Sequence, residues 1–324
     1  MIRMMLAAAA LLGLLAHPVS AQNYPSRPIT VIVPFAAGGP TDIVARIVAE
    51  HMSRTLGQQV IVENVAGAGG TTGITRGVQS KADGYTIMMG HMGTHGAAPA
   101  LYPKLAYDPT KDFAPIGLAA GTPILIVARK NFPAKDLKEF VAYLKANQAK
   151  LNQAHAGVGS VSFTTCTLLN HQIGAKFTQV PFRGTGPALN ALVGGQVDFM
   201  CDQIVNLVEQ INGGEIRAYA IATPERSPAL PNVPTTKEAG LPEYEVSAWN
   251  ALFAPKDTPK DVVTALTAAL DKALDDPAVR KRLLDLGGVI PDKAGRTGDA
   301  LGKLVAAEVA RWTPVLKAAG VTAE

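Results

Sequence analysis

The sequence predicts an α/β protein folded as two lobes, each a sheet flanked by helices. Three observations carry that reading. Apolar, strand-like runs alternate with helix-like segments along most of the chain, which is β-α-β grammar. The pattern restarts with a fresh set of strands after residue 122. A mature length of about 300 residues also exceeds what one hydrophobic core usually supports.

The elements follow in order. ITVIVPF (29–35) reads as a buried strand, and PTDIVARIVAEHMSRTL (40–56) reads as a helix with Ile43, Ile47, Val48 and Met52 on one face. The strand VIVENV (60–65), a glycine-rich turn and the strand YTIMMG (85–90) come next. The second set of strands is PILIVAR (123–129), LNQAHA (151–156), FTQVPF (177–182), VDFMC (197–201) and IRAYAIAT (216–223). A proline-rich run of turns fills 224–245, and SAWNALFAP (247–255) precedes a helical tail that ends in a helix through Glu308 and Trp312. Lobe 1 is therefore expected over 22–122 and 248–324, and lobe 2 over 123–247. Two crossings between lobes would form a hinge with a cleft beside it.

The N-terminus addresses the chain to an exported compartment. Arg3 precedes an uncharged run rich in Leu and Ala, which ends at the small residues Val19, Ser20 and Ala21. That is a secretory signal peptide over residues 1–21, too short in its apolar part for a membrane span. Its removal leaves 29 basic against 26 acidic residues, a net +3, which gives no footing for nucleic acid. Only two cysteines occur, Cys166 and Cys201. An even count in an oxidising compartment favours one disulfide, with two separate buried thiols as the alternative.

Gly and Pro gather at strand ends, where α/β sheets place ligand-facing turns. In PFAAGGPTDIVAR, Gly38 and Gly39 free the backbone and Pro40 suits a first helical position, so the N–H groups of a helix start can meet an anion. Asp42 would oppose an anion there unless it points away. GAGGTTG (67–73) lacks the spacing of a dinucleotide fingerprint and reads as a further set of backbone donors, with Thr71 and Thr72 adding hydroxyls. In the second half, AGVGSVS (156–162) puts Ser160 and Ser162 at a helix start, FRGTGPAL (182–189) puts Gly184 and Thr185 at another, and VDFMCD ends a strand at Asp202 near a sheet edge. Each of these turns could equally be ordinary capping. An ionised Asp202 would accept hydrogen bonds only, favouring a ligand hydroxyl, amine or amide and repelling a second carboxylate.

Enzyme chemistry finds little support. No G-x-S-x-G elbow occurs, and Ser160 has no identifiable base. His91 and His95 in GHMGTHG are four apart, but two ligands are not a metal site and no acidic or cysteine partner lies nearby. No cofactor is expected.

Taken in order, YPSRPITVIVPFAAGGPTDIVAR, VIVENVAGAGGTTG, DGYTIMMG, GTHGAAPALY, YDPTKDFAPIGL, VPFRGTGPALNALVGGQVDFMCD and RSPALPNVPTTKEAGLPEYEVSAWNALFAP resemble the solute-binding receptors of tripartite tricarboxylate transporters, the Bug family. The pair RSPALPNVPTTKEAGLP and VGGQVDFMCD is the specific part. The resemblance implies a periplasmic binding protein of type II, a Venus flytrap of two mixed sheets flanked by helices. It further implies a monomeric receptor that captures a small organic carboxylate and hands it to membrane permease subunits. A ligand-sensing input protein for a membrane signalling system would need the same closing cleft and remains the alternative. By motif, the implied contacts are Phe35, Ala36, Gly38, Gly39 and Thr41, then Gly70, Thr71 and Thr72. Thr94, Gly159, Ser160, Ser162, Gly184, Thr185, Asp202 and Trp249 occupy matching positions in later motifs. Val65-Ala66, Ala98 and Cys201 depart from the family pattern, where Arg-Pro, Asn and Phe are common.

Overall fold

The computed structural model describes residues 24–322. The expected signal peptide and its cleavage point lie outside them. The first strand, β1 (Ile29–Val33), pairs in parallel with β2 (Val60–Asn64) and β3 (Thr86–His91). The apolar run of β1 is buried on both faces apart from Thr30, as a parallel strand covered by helices requires. Between β1 and β2 lies α1 (Pro40–Leu56), with Val44, Ile47, Val48 and Met52 buried. Pro40 starts it, and Gly57, at φ 67°, ends it in the left-handed region that glycine tolerates best.

The helix α2 (Thr71–Val78) occupies what reads in sequence as the end of a turn. A π-helical turn, Met92–Ala97, follows β3 and leads into the short α3 (Ala98–Leu101). Glycines mask both segments in the sequence, and packing explains them. A Cβ at Gly77 would lie 2.2 Å from Met88 Cγ, and one at Gly96 would lie 3.0 Å from Glu308 Cβ.

The longest strand, β4 (Phe113–Arg129), joins the two halves of the sheet. From Phe113 to Pro123 it pairs with β9 (Ser247–Pro255); from Ile124 onward it pairs with β7 (Phe199–Gln203) and β8 (Ile216–Ile221), all antiparallel. Only its second part, from Pro123, is legible as a strand, because Pro115, Gly117 and Gly121 break up the first part. The strand accommodates them through register shifts between Pro115 and Gly117 and between Leu118 and Ala120. Adding β5 (Asn152–His155) and β6 (Thr178–Pro181), the order is β2-β1-β3-β9-β4-β7-β5-β6, with β8 also beside β4. The mixed sheet is thus one continuous, curled path through β4.

Helices cover both ends of this path: α4 (Leu137–Ala146), α5 (Val161–Ile173), α6 (Thr185–Val193) and α7 (Val208–Asn212) on the later strands, and α8 (Lys260–Asp275), α9 (Pro277–Asp285) and α10 (Gly298–Ala318) on the earlier ones. Cys166 of α5 is bonded to Cys201 of β7, with 5.2 Å between their Cα atoms. Closing 35 residues in this way stabilises the fold by about 4 kcal/mol in the chain-entropy model. No helix among the described residues is long and apolar enough to cross a membrane.

Candidate ligand-binding cleft

The carboxyl ends of β1, β3, β5 and β7 meet around a narrow cleft. Phe35, Gly39, Pro40 and Thr41 line it from the β1–α1 turn, and His91 from the end of β3. Ala156, Ser160, Val161 and Ser162 enter from the β5–α5 turn, Thr185 from the start of α6, and Asp202 and Gln203 from β7. Three helix starts therefore aim at one space. The first N–H groups of a helix have no partner within it, so the cleft offers fixed donors and partial positive charge without a cation. Its lining contains neither lysine nor arginine.

The local bonds leave particular groups for a ligand. Asp42, behind the first turn, accepts from Gly38 N (3.0 Å), Arg46 Nε (3.0 Å) and Asn64 Nδ2 (2.9 Å), so its charge is turned away from the cleft. Burial pushes the Asp42 carboxyl up, but these hydrogen bonds outweigh burial and hold it below its ordinary value. Ser160 Oγ accepts from Phe163 N (3.2 Å) and caps α5, Ser162 Oγ accepts from Ala156 N (3.0 Å), and the two hydroxyls lie 3.2 Å apart. One hydroxyl proton bonds the other oxygen, which leaves one free to donate.

Asp202 is the last residue but one of β7, opposite Leu125 of β4, at the carboxyl end of the strand as the sequence suggested. It is fully buried; Oδ2 accepts from Asn206 Nδ2 (3.1 Å), and Oδ1 has no partner among the described residues. Burial, only partly offset by hydrogen bonding, pushes this carboxyl up to about 7. The expectation of a purely ionised acceptor therefore changes: near neutral pH the acid and the carboxylate coexist, and the acid can donate. Next to it, Gln203 Oε1 accepts from Thr122 Oγ1 (2.7 Å) and Asn250 Nδ2 (2.9 Å). The floor of the cleft is thereby tied to β4, which runs through both halves, and to β9 of the first half.

Loops from the two halves touch around this space. Ala36 N donates to Arg183 O (3.0 Å), and Tyr102 Oη donates to Val158 O (2.6 Å). A Cβ at Gly69 would lie 1.7 Å from Val158 O, one at Gly93 2.3 Å from Gly159 O, and one at Gly186 2.8 Å from Ala37 O.

Of the residues singled out in sequence, Phe35, Gly39, Thr41, Ser160, Ser162, Thr185 and Asp202 come together in the cleft. The others stand around it. Ala36 and Gly184 meet across the loop contact, while Gly38 borders an outer groove. Gly70 packs against Phe35 and Thr94, and Thr71 turns its hydroxyl to Ala68 O (2.8 Å). Thr72 is exposed beside Gly67. The Gly159 carbonyl faces Gly93, and Trp249 is buried in β9 opposite Gly121 with no partner for its Nε1 among the described residues. His91 and Gln203 line the cleft without having been anticipated as ligand groups. Both end a strand that the sequence displays, and that position was the available signal.

Comparison with known proteins agrees with this architecture. The family model described as tripartite tricarboxylate transporter family receptor matches residues 44–321. MatC of Rhodopseudomonas palustris, solved with bound malate, is 53% identical with a TM-score of 0.89, covering 90% of this chain and 100% of that one. The periplasmic binding protein BugD is 43% identical with a TM-score of 0.90, covering 93% and 100%. A protein of Agrobacterium vitis from the TAR-I ttuE-ttuC' intergenic region is 46% identical over 298 residues, covering 92% of this chain and 86% of the relative. The fold is a mixed α/β fold of the periplasmic binding protein kind, and the chain belongs to the tripartite tricarboxylate transporter receptor family, the Bug solute-binding proteins.

Proposed function

We propose that residues 22–122 with 248–324 and residues 123–247 act as two lobes of a type II Venus flytrap, which closes on a small organic carboxylate in the cleft described above. The protein then works in the periplasm as a monomer and releases its ligand unchanged to the permease subunits of a tripartite tricarboxylate-type transporter. The observation that carries this reading is the convergence of three helix starts on a buried space with no lysine or arginine in its lining. Such a space suits an anion held by backbone donors. The candidate contacts named from sequence divide accordingly: Phe35, Gly39, Thr41, Ser160 and Ser162 hold one carboxylate, and Asp202, with the Thr185 hydroxyl beside it, meets the remote end of the ligand.

A four-carbon dicarboxylate with a hydroxyl is the first ligand to test, because the 53% identical MatC holds malate. Asp202 in its acid form would donate to a second carboxylate, and as a carboxylate it would accept from a hydroxyl. Native mass spectrometry of freshly purified protein, followed by calorimetry with malate, succinate and a monocarboxylate of similar size, tests the proposal. Retention or tight binding of a dicarboxylate is expected. Failure to bind any of these, with a cation or sugar retained instead, would refute it.

A further inference from the structure

His91 has a position in this cleft that its capping role does not exhaust. It stands at the end of β3, where its side chain caps the π-helical turn: Nδ1 accepts from Gly93 N (2.9 Å) and Thr94 N (3.1 Å), and Thr94 Oγ1 receives the His91 N–H (3.2 Å). Two backbone donors on Nδ1 require an unprotonated nitrogen there. The neutral ring must then carry its proton on Nε2. One ring face stacks on Phe35, with centroids 5.0 Å apart and planes at 20°, and the Nδ1 and Cε1 edge lies against Gly93. The edge left for the cleft is the one that bears Nε2, which has no hydrogen-bond partner among the described residues although His91 is only 1% exposed. Nε2 is not one of the fully buried unpartnered atoms, so it keeps an opening on the cleft, where its N–H can meet an acceptor that a ligand brings.

We propose that His91 binds the ligand as a neutral donor, its tautomer fixed by the cap, with Nε2–H directed to an oxygen of the captured carboxylate. Burial holds the imidazole down at about 4, so the ring is neutral when it does this. A protonated ring would force an Nδ1–H against the N–H groups of Gly93 and Thr94. The group recognised is an oxygen acceptor: a carboxylate, carbonyl or hydroxyl oxygen fits, whereas an ammonium at this end would meet only N–H donors. The histidine thus adds selectivity for an oxyanion without adding charge, in keeping with a cleft whose lining has no lysine or arginine. The inference rests on the receptor reading above and deepens its ligand subsite.

Selective ¹⁵N labelling of histidine in the intact mature protein tests it without any mutation. His91 is expected to show an unprotonated Nδ1 and a protonated Nε2 in the free protein. Saturation with malate should shift Nε2–H strongly downfield and protect its proton from exchange, while Nδ1 changes little; the His91→Asn variant assigns the signal. In that variant, Asn Oδ1 stands the same number of bonds from Cα as Nδ1 and keeps an acceptor for the cap, but nothing replaces Nε2. Calorimetry should show malate binding weakened roughly 10- to 100-fold, the value of one hydrogen bond to a charged group, with the melting temperature of the free protein changed by only a few degrees. His91→Gln, which restores a donor at the reach of Nε2, should recover part of that affinity. A proton found on Nδ1, an Nε2–H signal indifferent to saturating malate, or equal affinity for wild type and His91→Asn would overturn the proposal. Were the wild-type protein to bind no dicarboxylate at all, the receptor reading would fail first, and that outcome is distinguishable because it precedes any comparison of variants.

Discussion

Replacing Gly69 by alanine would put a Cβ 1.7 Å from Val158 O, a carbonyl on the opposite side of the cleft. Real Cβ atoms need at least about 3.0 Å, so the two loops must separate by about 1.3 Å. The Tyr102 Oη to Val158 O bond, 2.6 Å long, lies at the same contact and would stretch beyond hydrogen-bond reach. Losing it in a closed site would cost about 1 to 3 kcal/mol. If this contact forms only on closure, the whole cost falls on the liganded state and weakens binding about 5- to 150-fold. Backbone strain must be separated from this effect, because Gly69 has φ 59° and alanine there costs about 1 to 2 kcal/mol wherever the loops stand. Gly57 supplies the control: its φ is 67°, and a Cβ there would meet nothing within 4 Å. Calorimetric titration and ligand-induced compaction in small-angle scattering, measured for both variants, separate strain from clash. Gly57→Ala should lower the melting temperature and bind normally, while Gly69→Ala should bind weakly and compact less. Equal affinities in the two variants would refute the idea that these loops meet as part of closure.

Three further outcomes are expected. Asp202 is raised in the fold from 3.8 to about 7, so its contribution to stability is present below pH 3.8, is lost as pH rises through 7, and is constant above that. The loss is of the order of 4 kcal/mol at about 1.36 kcal/mol per pH unit; melting curves of the free protein from pH 4 to 8 should show this decline, and Asp202→Asn should flatten it. Ser160→Ala removes a helix cap and the partner of Ser162, so it should cost about 0.5 to 2 kcal/mol in stability and also weaken binding, whereas the exposed Thr72→Ala should change affinity by less than twofold; equal effects on binding would mean that the cleft is misplaced. Alkylation of denatured, unreduced protein should label no thiol, and the Cys166→Ser, Cys201→Ser double variant should lose about 3 to 4 kcal/mol in urea melts.

How much of this was legible depended on the kind of signal. The helix at 40–56 showed its apolar spacing and its Pro40 start, and the structure places it over the same residues. The first half of β4 did not show, because a strand with Pro115, Gly117 and Gly121 survives only where bulges and a long antiparallel partner absorb the irregularity, and that is tertiary information. The helix after Thr71 was hidden by Gly73 and Gly77, which are there because Val65 O and Met88 approach too closely for any side chain. In the cleft, residue type located the turns but not their rotation. Thr41 and Thr72 are equivalent as hydroxyls at glycine-rich helix starts, yet one lines the cleft and the other faces solvent. His91 was visible only as half of an i, i+4 pair. Its partner His95 instead stacks on Phe253 at 4.1 Å with Thr94 Oγ1 on its Nδ1, so the two rings serve different surroundings.

The charge economy of the cleft decides what kind of receptor this is. An anion taken into a buried space needs compensation, and a guanidinium clamp would supply a full charge at the cost of about 2 kcal/mol of rotamer entropy in the arginine. Three helix starts supply roughly +0.5 each, rigidly, and on the proposed reading neutral donors such as His91 Nε2–H and a serine hydroxyl would add directional bonds. That sum matches a single carboxylate and falls short of two. On the proposed reading the deficit would be met at Asp202, whose carboxyl burial pushes up to about 7. A second carboxylate placed beside it would raise it further by like-charge repulsion, so the acid form would prevail and the ligand would enter together with a proton. The same residue that repels a dianion when ionised can therefore bind one when protonated, and the balance between these states links ligand choice to pH.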